Sequence, residues 1–121
     1  MGRPVVHFEI VGQDQQRLSD YYSRLFGWDV DADNPMNYGI VPREGNTAED
    51  GTGIGGGIAA GPSDYPGHVT FYVGVPDVEA ALARAEELGG RRTMGPEQVS
   101  DEIEIGMFAD PEGHQIGVLR V

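Results

Sequence analysis

The chain has 121 residues, 20 acidic and 8 basic side chains, a formal net charge of −12 and no cysteine. This length predicts one compact domain, and the charge argues against nucleic acid as a partner because phosphate backbones would be repelled. The lack of cysteine excludes disulfides and thiolate chemistry. No apolar run reaches the roughly 20 residues of a membrane helix, so we expect no membrane association and, without a secretory signal, a cytoplasmic location.

The first predicted elements are a strand and a helix. Val5–Val11 is rich in β-forming residues. Asp14 is suited to cap a following helix, which Gly27 would end in the left-handed conformation. The apolar stripe of this helix is predicted to be Leu18, Tyr21, Tyr22 and Leu25.

Three shorter strand candidates follow this helix. They are separated by turn-forming residues and comprise Trp28–Ala32, Tyr38–Val41 and Ile54–Ala60. The last of them is rich in glycine, which is typical either of a flexible loop or of a strand whose backbone is closely approached.

The same order of elements then recurs. Phe8 aligns with Phe71 and Gly27 with Gly90, a shift of 63 residues in both cases. In the second copy Asp77 is the predicted helix cap, and Gly89–Gly90 the helix end. The predicted strands are His68–Val75, Arg91–Met94, Ile103–Phe108 and Gln115–Val121.

The repeat predicts an α+β fold of two βαβββ modules. Module 1 would cover about residues 1–61 and module 2 about 68–121, with the linker Pro62–Gly67 between them. Two such modules would form a curved mixed sheet, with the helices on one face and a concave cup on the other.

The alternation of strand side chains assigns residues to the two faces. The side chains predicted to face the cup are His7, Glu9, Val11, His68, Thr70 and Tyr72. Those predicted to face the helices are Phe8, Ile10, Val69, Phe71 and Val73.

Six segments, taken in order, follow a recognisable pattern: His7–Val11, Tyr21–Trp28, Phe71–Val73, Pro76–Ala81, Leu88–Gly90 and Phe108–Ile116. Together they resemble one known superfamily, the vicinal oxygen chelate proteins of the glyoxalase, bleomycin-resistance and dioxygenase kind. The resemblance covers nearly the whole chain and implies the two-module fold. It also implies a homodimer, with the exchange of modules between chains left open.

Enzymes of this superfamily hold a divalent metal with His and Glu ligands, about one from the first and last strand of each module. The resemblance places His7 at the first ligand position, Thr70 at the second and Gly117 at the last-strand position. The remaining position falls in Ile54–Ala60, which has no ligating side chain. We therefore predict no metal cofactor.

An unorthodox site of His7, Glu9 and His68 is the alternative, because all three are predicted to face the cup. As a pair, His7 and Glu9 could also serve as an acid and base for metal-free isomerase or lyase chemistry. The plainer interpretation is that His7 and Glu9 pair with each other or line a polar pocket, that His68 lies at an exposed strand start, and that His114 faces solvent in a turn.

Without a metal, the cup is expected to bind a flat hydrophobic or aromatic molecule, as bleomycin-resistance proteins of the superfamily do. The predicted ligand-binding residues are His7, Glu9, Trp28, Tyr38, His68, Thr70, Tyr72, Met107 and Gly117. Gly117 and the run Gly55–Gly57 are interpreted as room for a ligand ring. The alternatives for the aromatic residues are core positions, and in particular Trp28 could fill the space between helix and sheet.

The sequence thus favours two functions. The first is a metal-free binding protein for a small molecule, such as an antibiotic or another natural product. The second is a glyoxalase-like lyase or isomerase, or a dioxygenase with an atypical metal site.

Overall fold

A computed structural model describes residues 2–121 of the protein. Over this range the chain forms two helices and seven strands, which confirms the α+β class. In chain order the elements are β1 (Val5–Gly12), α1 (Gln15–Phe26), β2 (Gly39–Val41), β3 (Gly55–Ala60), β4 (His68–Val75), α2 (Val78–Glu87), β5 (Arg91–Gln98), β6 (Glu104–Ala109) and β7 (Gln115–Arg120).

The chain divides into two compact units. The first unit is His7–Val69, and the second is Thr70–Val121 together with residues 2–6. Segment 62–67, interpreted from the sequence as a linker, lies within the first unit. Directly before this segment, the Gly61 N–H donates a hydrogen bond to the Gly12 carbonyl, 2.9 Å.

In the first unit, β3 is the central strand. It pairs in parallel with β1, with Glu9 opposite Gly57, and antiparallel with β2, with Val41 opposite Gly56. Ile58 and Val41 are fully buried, and they form the interior of this unit.

Helix α1 begins and ends as predicted. The Asp14 carboxylate accepts a hydrogen bond from the Arg17 N–H. Gly27 has φ 76°, and its N–H donates to the Ser23 carbonyl.

The predicted apolar stripe of α1 is wrong in its phase, because Tyr21 and Leu25 are more than half exposed. The buried residues of the helix are Gln15 and Ser19, joined by a hydrogen bond of 2.9 Å. Gly39 explains this, since a Cβ atom there would lie 2.4 Å from Gln15 Nε2. The glycine lets this polar side chain come close to the sheet, while Tyr21 and Leu25 face outward and Leu18 and Tyr22 stay partly buried.

The predicted strand Trp28–Ala32 is absent apart from an isolated bridge between Asp31 and Ile40. The segment that directly follows is held by side-chain hydrogen bonds to backbone groups. The Asp31 carboxylate accepts from the Asp33 N–H, and the Asn34 side chain bonds both backbone groups of Tyr38. Such local bonds compete with sheet pairing and favour a turn.

In the second unit, β4 pairs in parallel with β7, and β7 pairs antiparallel with β6. Strand β5 pairs antiparallel with β6 and extends to Gln98, beyond the predicted Met94, through two register irregularities. Asp77 caps α2 by accepting from the Ala80 N–H. The core of this unit consists of Val75, Val78, Leu82 and Val118.

The predicted facing of β4 holds at one end of the strand only. Val73 packs against the core beneath α2 as predicted. Val69 is 76% exposed and Phe71 is also exposed. Of the β4 side chains, Val75 belongs to the core of the second unit and Val73 packs against it, whereas Phe71 is not part of that core.

No helix within residues 2–121 is both long and apolar enough to cross a membrane.

Leu82 provides a test of the second unit's core. Its side chain is 0% exposed, whereas Leu88 at the end of the same helix is 63% exposed. We expect Leu82→Ala to lower the unfolding free energy by about 2–5 kcal/mol because it leaves a cavity. Leu88→Ala is the matched control and should cost less than about 1 kcal/mol. Urea denaturation followed by circular dichroism measures both, and equal losses would contradict this core assignment.

Candidate functional site

A buried carboxylate in the first unit is surrounded by hydrogen-bonding side chains. Glu9 is 9% exposed. Its Oε1 atom accepts from the Tyr38 hydroxyl at 3.0 Å, and its Oε2 atom lies 3.2 Å from His68 Nε2. Tyr38 Oη is also 3.0 Å from His7 Nε2, and the Tyr65 hydroxyl is bonded to His68 Nδ1. We call these five residues the Glu9 group.

Strand geometry explains how residues 7 and 9 come to one side of β1. Alternate side chains of a strand point to the same face. His7 and Glu9 are therefore neighbours on one face, and Phe8 between them points to the other. There the Phe8 ring lies against Gly56, where a Cβ atom would be 2.4 Å from Cδ2 of the ring.

Two features let Tyr38 reach Glu9: hydrogen bonds between the Asn34 side chain and the Tyr38 backbone, and the missing side chain at Gly57. The Asn34 side chain donates to the Tyr38 carbonyl at 2.7 Å and accepts from its N–H at 3.0 Å. The Tyr38 ring lies across β3 at Gly57, where a Cβ atom would be only 1.9 Å from the hydroxyl oxygen. Any side chain at position 57 would therefore displace Tyr38 from the Glu9 group.

Burial determines the electrostatics of His7. Desolvation lowers the pKa of its imidazole, since the charged form is disfavoured away from water, and the negative charge of Glu9 partly opposes this. His7 is therefore neutral at pH 7. No buried side-chain nitrogen or oxygen in residues 2–121 lacks a hydrogen-bond partner.

The structure brings together four of the predicted ligand-binding residues: His7, Glu9, Tyr38 and His68. Tyr65 was missed, because segment 62–67 was interpreted only as a linker. The signal that could have identified it is an aromatic hydroxyl three residues before a histidine, with Pro66–Gly67 turning the chain between them.

The second unit contains the other predicted site residues except Trp28. The Thr70 hydroxyl donates to the Gln115 carbonyl at 2.5 Å. Tyr72 and Met107 are buried, and the Tyr72 hydroxyl lies 3.9 Å from Met107 Sδ. Gly117 pairs with Tyr72, and a Cβ atom there would lie 2.4 Å from Tyr72 Cδ2.

One sequence-based expectation about the site is wrong, and a second, the ligand-binding role of Trp28, stays a prediction. The space beside the glycines was interpreted as room for a ligand ring, but the protein's own rings fill it, Tyr38 at Gly57 and Tyr72 at Gly117. Trp28 is not part of the Glu9 group. Its ring packs 5.2 Å from Phe8 and 5.6 Å from Tyr22, in an aromatic cluster that includes Phe26. This is the core alternative for that residue.

The residues present do not fit a divalent metal site. Within residues 2–121, no group of three or more His, Asp or Glu side chains is placed to hold an ion. In the hypothetical set, His7 Nε2 and Glu9 Oε1 are bridged by the Tyr38 hydroxyl, which lies 3.0 Å from each. At the last-strand position, a ligating side chain in place of Gly117 would collide with Tyr72.

Two surface depressions lie away from the Glu9 group. One of about 720 Å³ follows the outer face of α1 beside Arg17 and Tyr21. The other, of about 410 Å³, lies between α2 and the strands beside it, at Ala85 and Val118. Neither is lined by a residue of the Glu9 group.

Comparison with known proteins identifies relatives of the whole domain. The profile of the family described as Glyoxalase-like domain matches residues 7–119. The proteins named "Putative glyoxylase CFP32" of Mycobacterium bovis and Mycobacterium tuberculosis are each 30% identical to this chain over 112 residues. The match covers 87% of this chain and 41% of each relative, so the chain spans about two fifths of their length.

Solved structures share the fold. Methylmalonyl-CoA epimerase from Streptomyces coelicolor in complex with 2-nitronate-propionyl-CoA matches with a TM-score of 0.66 and 16% identity, covering 99% of this chain and 97% of that one. A glyoxalase/bleomycin resistance protein/dioxygenase superfamily member from Vibrio splendidus 12B01 matches with a TM-score of 0.64 and 16% identity, covering 99% and 100%. At such identities the likeness concerns the fold alone.

The lowered pKa of His7 predicts how the stability of the fold depends on pH. Its pKa is lower in the folded protein than the ordinary value of about 6.5 expected when the chain unfolds. The unfolded state then binds the extra proton, so the stabilisation is complete above about pH 6.5 and is lost as the pH falls through the folded-state pKa. His7→Gln should lose less unfolding free energy than the wild type between pH 7.5 and 5.

Urea titrations at several pH values measure this slope. Proton NMR of the imidazole signals measures the pKa of His7 directly. His114→Gln is the control for signal assignment, since His114 is exposed in the turn after β6, and it should leave the His7 signal unchanged. A His7 midpoint at or above 6.5 would contradict the burial of this ring.

Proposed function

The chain belongs to the glyoxalase-like domain family of the vicinal oxygen chelate superfamily, and from this premise we propose that it binds a small hydrophobic or aromatic molecule at the Glu9 group without a metal ion. An antibiotic or another natural product is the ligand class we favour. The observation that supports this most is the assembly of Glu9, Tyr38 and His68, from three separate segments, around one buried carboxylate.

A polar group of this kind suits orientation of a ligand. Binding sites of small molecules are mostly apolar, with a few placed polar groups that fix how the ligand lies. Here the hydrogen bonds to Glu9 hold the carboxylate in one position before any ligand arrives, which reduces the ordering cost of binding. His7, kept neutral by burial, adds a hydrogen-bonding ring without adding charge.

The metal-free part of the proposal rests on donor chemistry and on steric contacts. The position of Thr70 has a hydroxyl that is hydrogen-bonded to a backbone carbonyl. Gly57 and Gly117 are each covered by a tyrosine ring. A catalytic divalent ion needs three or more His or carboxylate ligands converging on one point, and these positions do not supply them. This also argues against dioxygenase chemistry with an atypical metal site.

The homodimer implied by the family resemblance and the cytoplasmic location remain predictions for this chain.

A ligand screen tests the binding function. We expect at least one member of a library of aromatic natural products to raise the melting temperature, since a ligand that binds only the native state adds about 2.7 kcal/mol at one hundred times its Kd. Glu9→Gln removes the charge but keeps the shape, and should weaken binding about tenfold or more. Glu112→Gln, in an exposed turn, is the matched control and should bind like the wild type.

Elemental analysis of protein purified without chelator completes this test. Stoichiometric zinc, nickel, manganese or iron would contradict metal-free binding. A library without any stabilising member would contradict the proposed ligand class.

The hydrogen bonds to the Glu9 carboxylate favour a second function, metal-free isomerase or lyase chemistry. A buried carboxylate oriented by a hydroxyl and an imidazole is suited to accept a proton from a carbon next to a carbonyl, and Tyr38 or His68 could then stabilise the charge that remains. The same residues would take part in binding and in proton transfer.

Deuterium exchange separates the two functions. If Glu9 acts as a base, a bound carbonyl ligand identified in the screen should exchange its α-hydrogen in deuterium oxide, as seen by NMR. Glu9→Gln should slow this exchange by about 100-fold or more, in line with the loss of a general base. Exchange at the uncatalysed rate in the presence of wild-type protein would exclude this chemistry for that ligand.

A further inference from the structure

Tyr65 is the one member of the Glu9 group whose contact is with His68 alone among the bonds named above, and it lies outside the strands. It lies in segment 61–67, between β3 and β4, and its hydroxyl is hydrogen-bonded to His68 Nδ1. The two rings are nearly perpendicular, with centroids 5.7 Å apart. The His68 side chain is 18% exposed, so this hydrogen bond is partly shielded from water.

Two glycines fix the position of this segment. A Cβ atom at Gly61 would lie 2.7 Å from Tyr65 Cδ2, so the ring packs closely on the backbone there. Gly67 has φ 98°, and a Cβ atom there would lie 2.2 Å from the Val11 carbonyl oxygen. The Tyr65 N–H donates to the Pro62 carbonyl at 2.9 Å and closes the turn. The segment is therefore built into the first unit at the end of β1.

The hydrogen bonds of His68 determine which ring nitrogen carries the proton. A carboxylate oxygen only accepts, so the bond to Glu9 Oε2 requires a proton on His68 Nε2. In a neutral imidazole Nδ1 then carries a lone pair, and the Tyr65 hydroxyl donates to it. Tyr65 and Glu9 thus select the same tautomer from opposite sides of the ring.

We propose that Tyr65 is a positioning residue for Glu9 and acts through His68. It holds the imidazole with Nε2–H directed at Glu9, while Tyr38 holds the other carboxylate oxygen. This inference rests on the proposed function, since it assigns a role within the same site. Without the Tyr65 hydroxyl, Nδ1 loses its donor, and the ring is free to adopt the other tautomer or to turn away from Glu9.

The test uses the 121-residue chain without any ligand. Tyr65→Phe keeps the ring on Gly61 and removes only the hydroxyl. Long-range proton–nitrogen NMR spectra report which imidazole nitrogen is protonated and whether the other accepts a hydrogen bond. In the wild type at neutral pH, we expect His68 to be a single Nε2–H tautomer with a hydrogen-bonded Nδ1.

In Tyr65→Phe we expect the His68 Nδ1 resonance to move to the chemical shift of a nitrogen that accepts no hydrogen bond. We also expect the tautomer of His68 with its proton on Nδ1 to appear. Tyr21→Phe, on the exposed face of α1, is the matched control and should leave the His68 signals unchanged. A merely structural role would change the melting temperature without changing the tautomer. Identical His68 spectra for the wild type and Tyr65→Phe would overturn the proposal.

The chemical shift of His68 Nδ1 in the wild type gives a second readout, which does not require the variant to fold. In the wild type alone, an Nδ1 shift typical of a free acceptor would also overturn the assignment. If the ligand screen finds a stabilising molecule, Tyr65→Phe should weaken its binding about three- to tenfold, the effect of one hydrogen bond. Because the NMR measurement needs no ligand, a failed screen leaves the result for Tyr65 intact.

Discussion

The structure of the first unit depends on satisfying one carboxylate that is almost withdrawn from water. Burying an unpaired charge costs several kcal/mol, which is more than a domain of this size can readily offset. Glu9 is accommodated because the Tyr38 hydroxyl and the His68 imidazole reach it from segments that are distant in sequence. Tyr38 is held in turn by a hydrogen bond from the Asn34 side chain to its backbone, and His68 by a hydrogen bond with the Tyr65 hydroxyl. Such connected polar groups rigidify a site and specify one arrangement.

Glycine and tyrosine act together in both units. Gly57 lies opposite Glu9 in the pairing of β1 with β3, and Gly117 lies opposite Tyr72 in the pairing of β4 with β7. At each glycine a tyrosine ring occupies the volume that a side chain would need. The tyrosine of the first unit supplies a hydrogen bond to Glu9, and that of the second contacts the sulfur of Met107. At both positions the volume beside the strand is therefore filled by an aromatic ring with a polar end.

The predictions from sequence succeeded where local rules decide and were wrong where packing decides. Asp14, Gly27 and Asp77 identified the helix ends because capping depends on a few neighbouring residues. The outward turn of Tyr21 and Leu25 could not be foreseen, because it depends on the close fit of Gln15 against Gly39, a residue far along the chain. Strand Trp28–Ala32 was wrongly predicted: within it Asp31 alone forms a bridge, with Ile40, and side-chain hydrogen bonds of Asp31 and Asn34 form a turn directly after it.

For the site, alternation along β1 was sufficient to place His7 and Glu9 on one face, because side chains of a strand repeat every two residues. The sequence by itself thus determined the class of fold, the repeat, and which polar side chains were available. Only the tertiary structure decided that Tyr38 and His68 converge on Glu9, that Tyr65 bonds the far side of the His68 ring, and that the protein's own rings lie against the glycines. The reason is that these outcomes depend on contacts between segments many residues apart, whose distances no local pattern encodes.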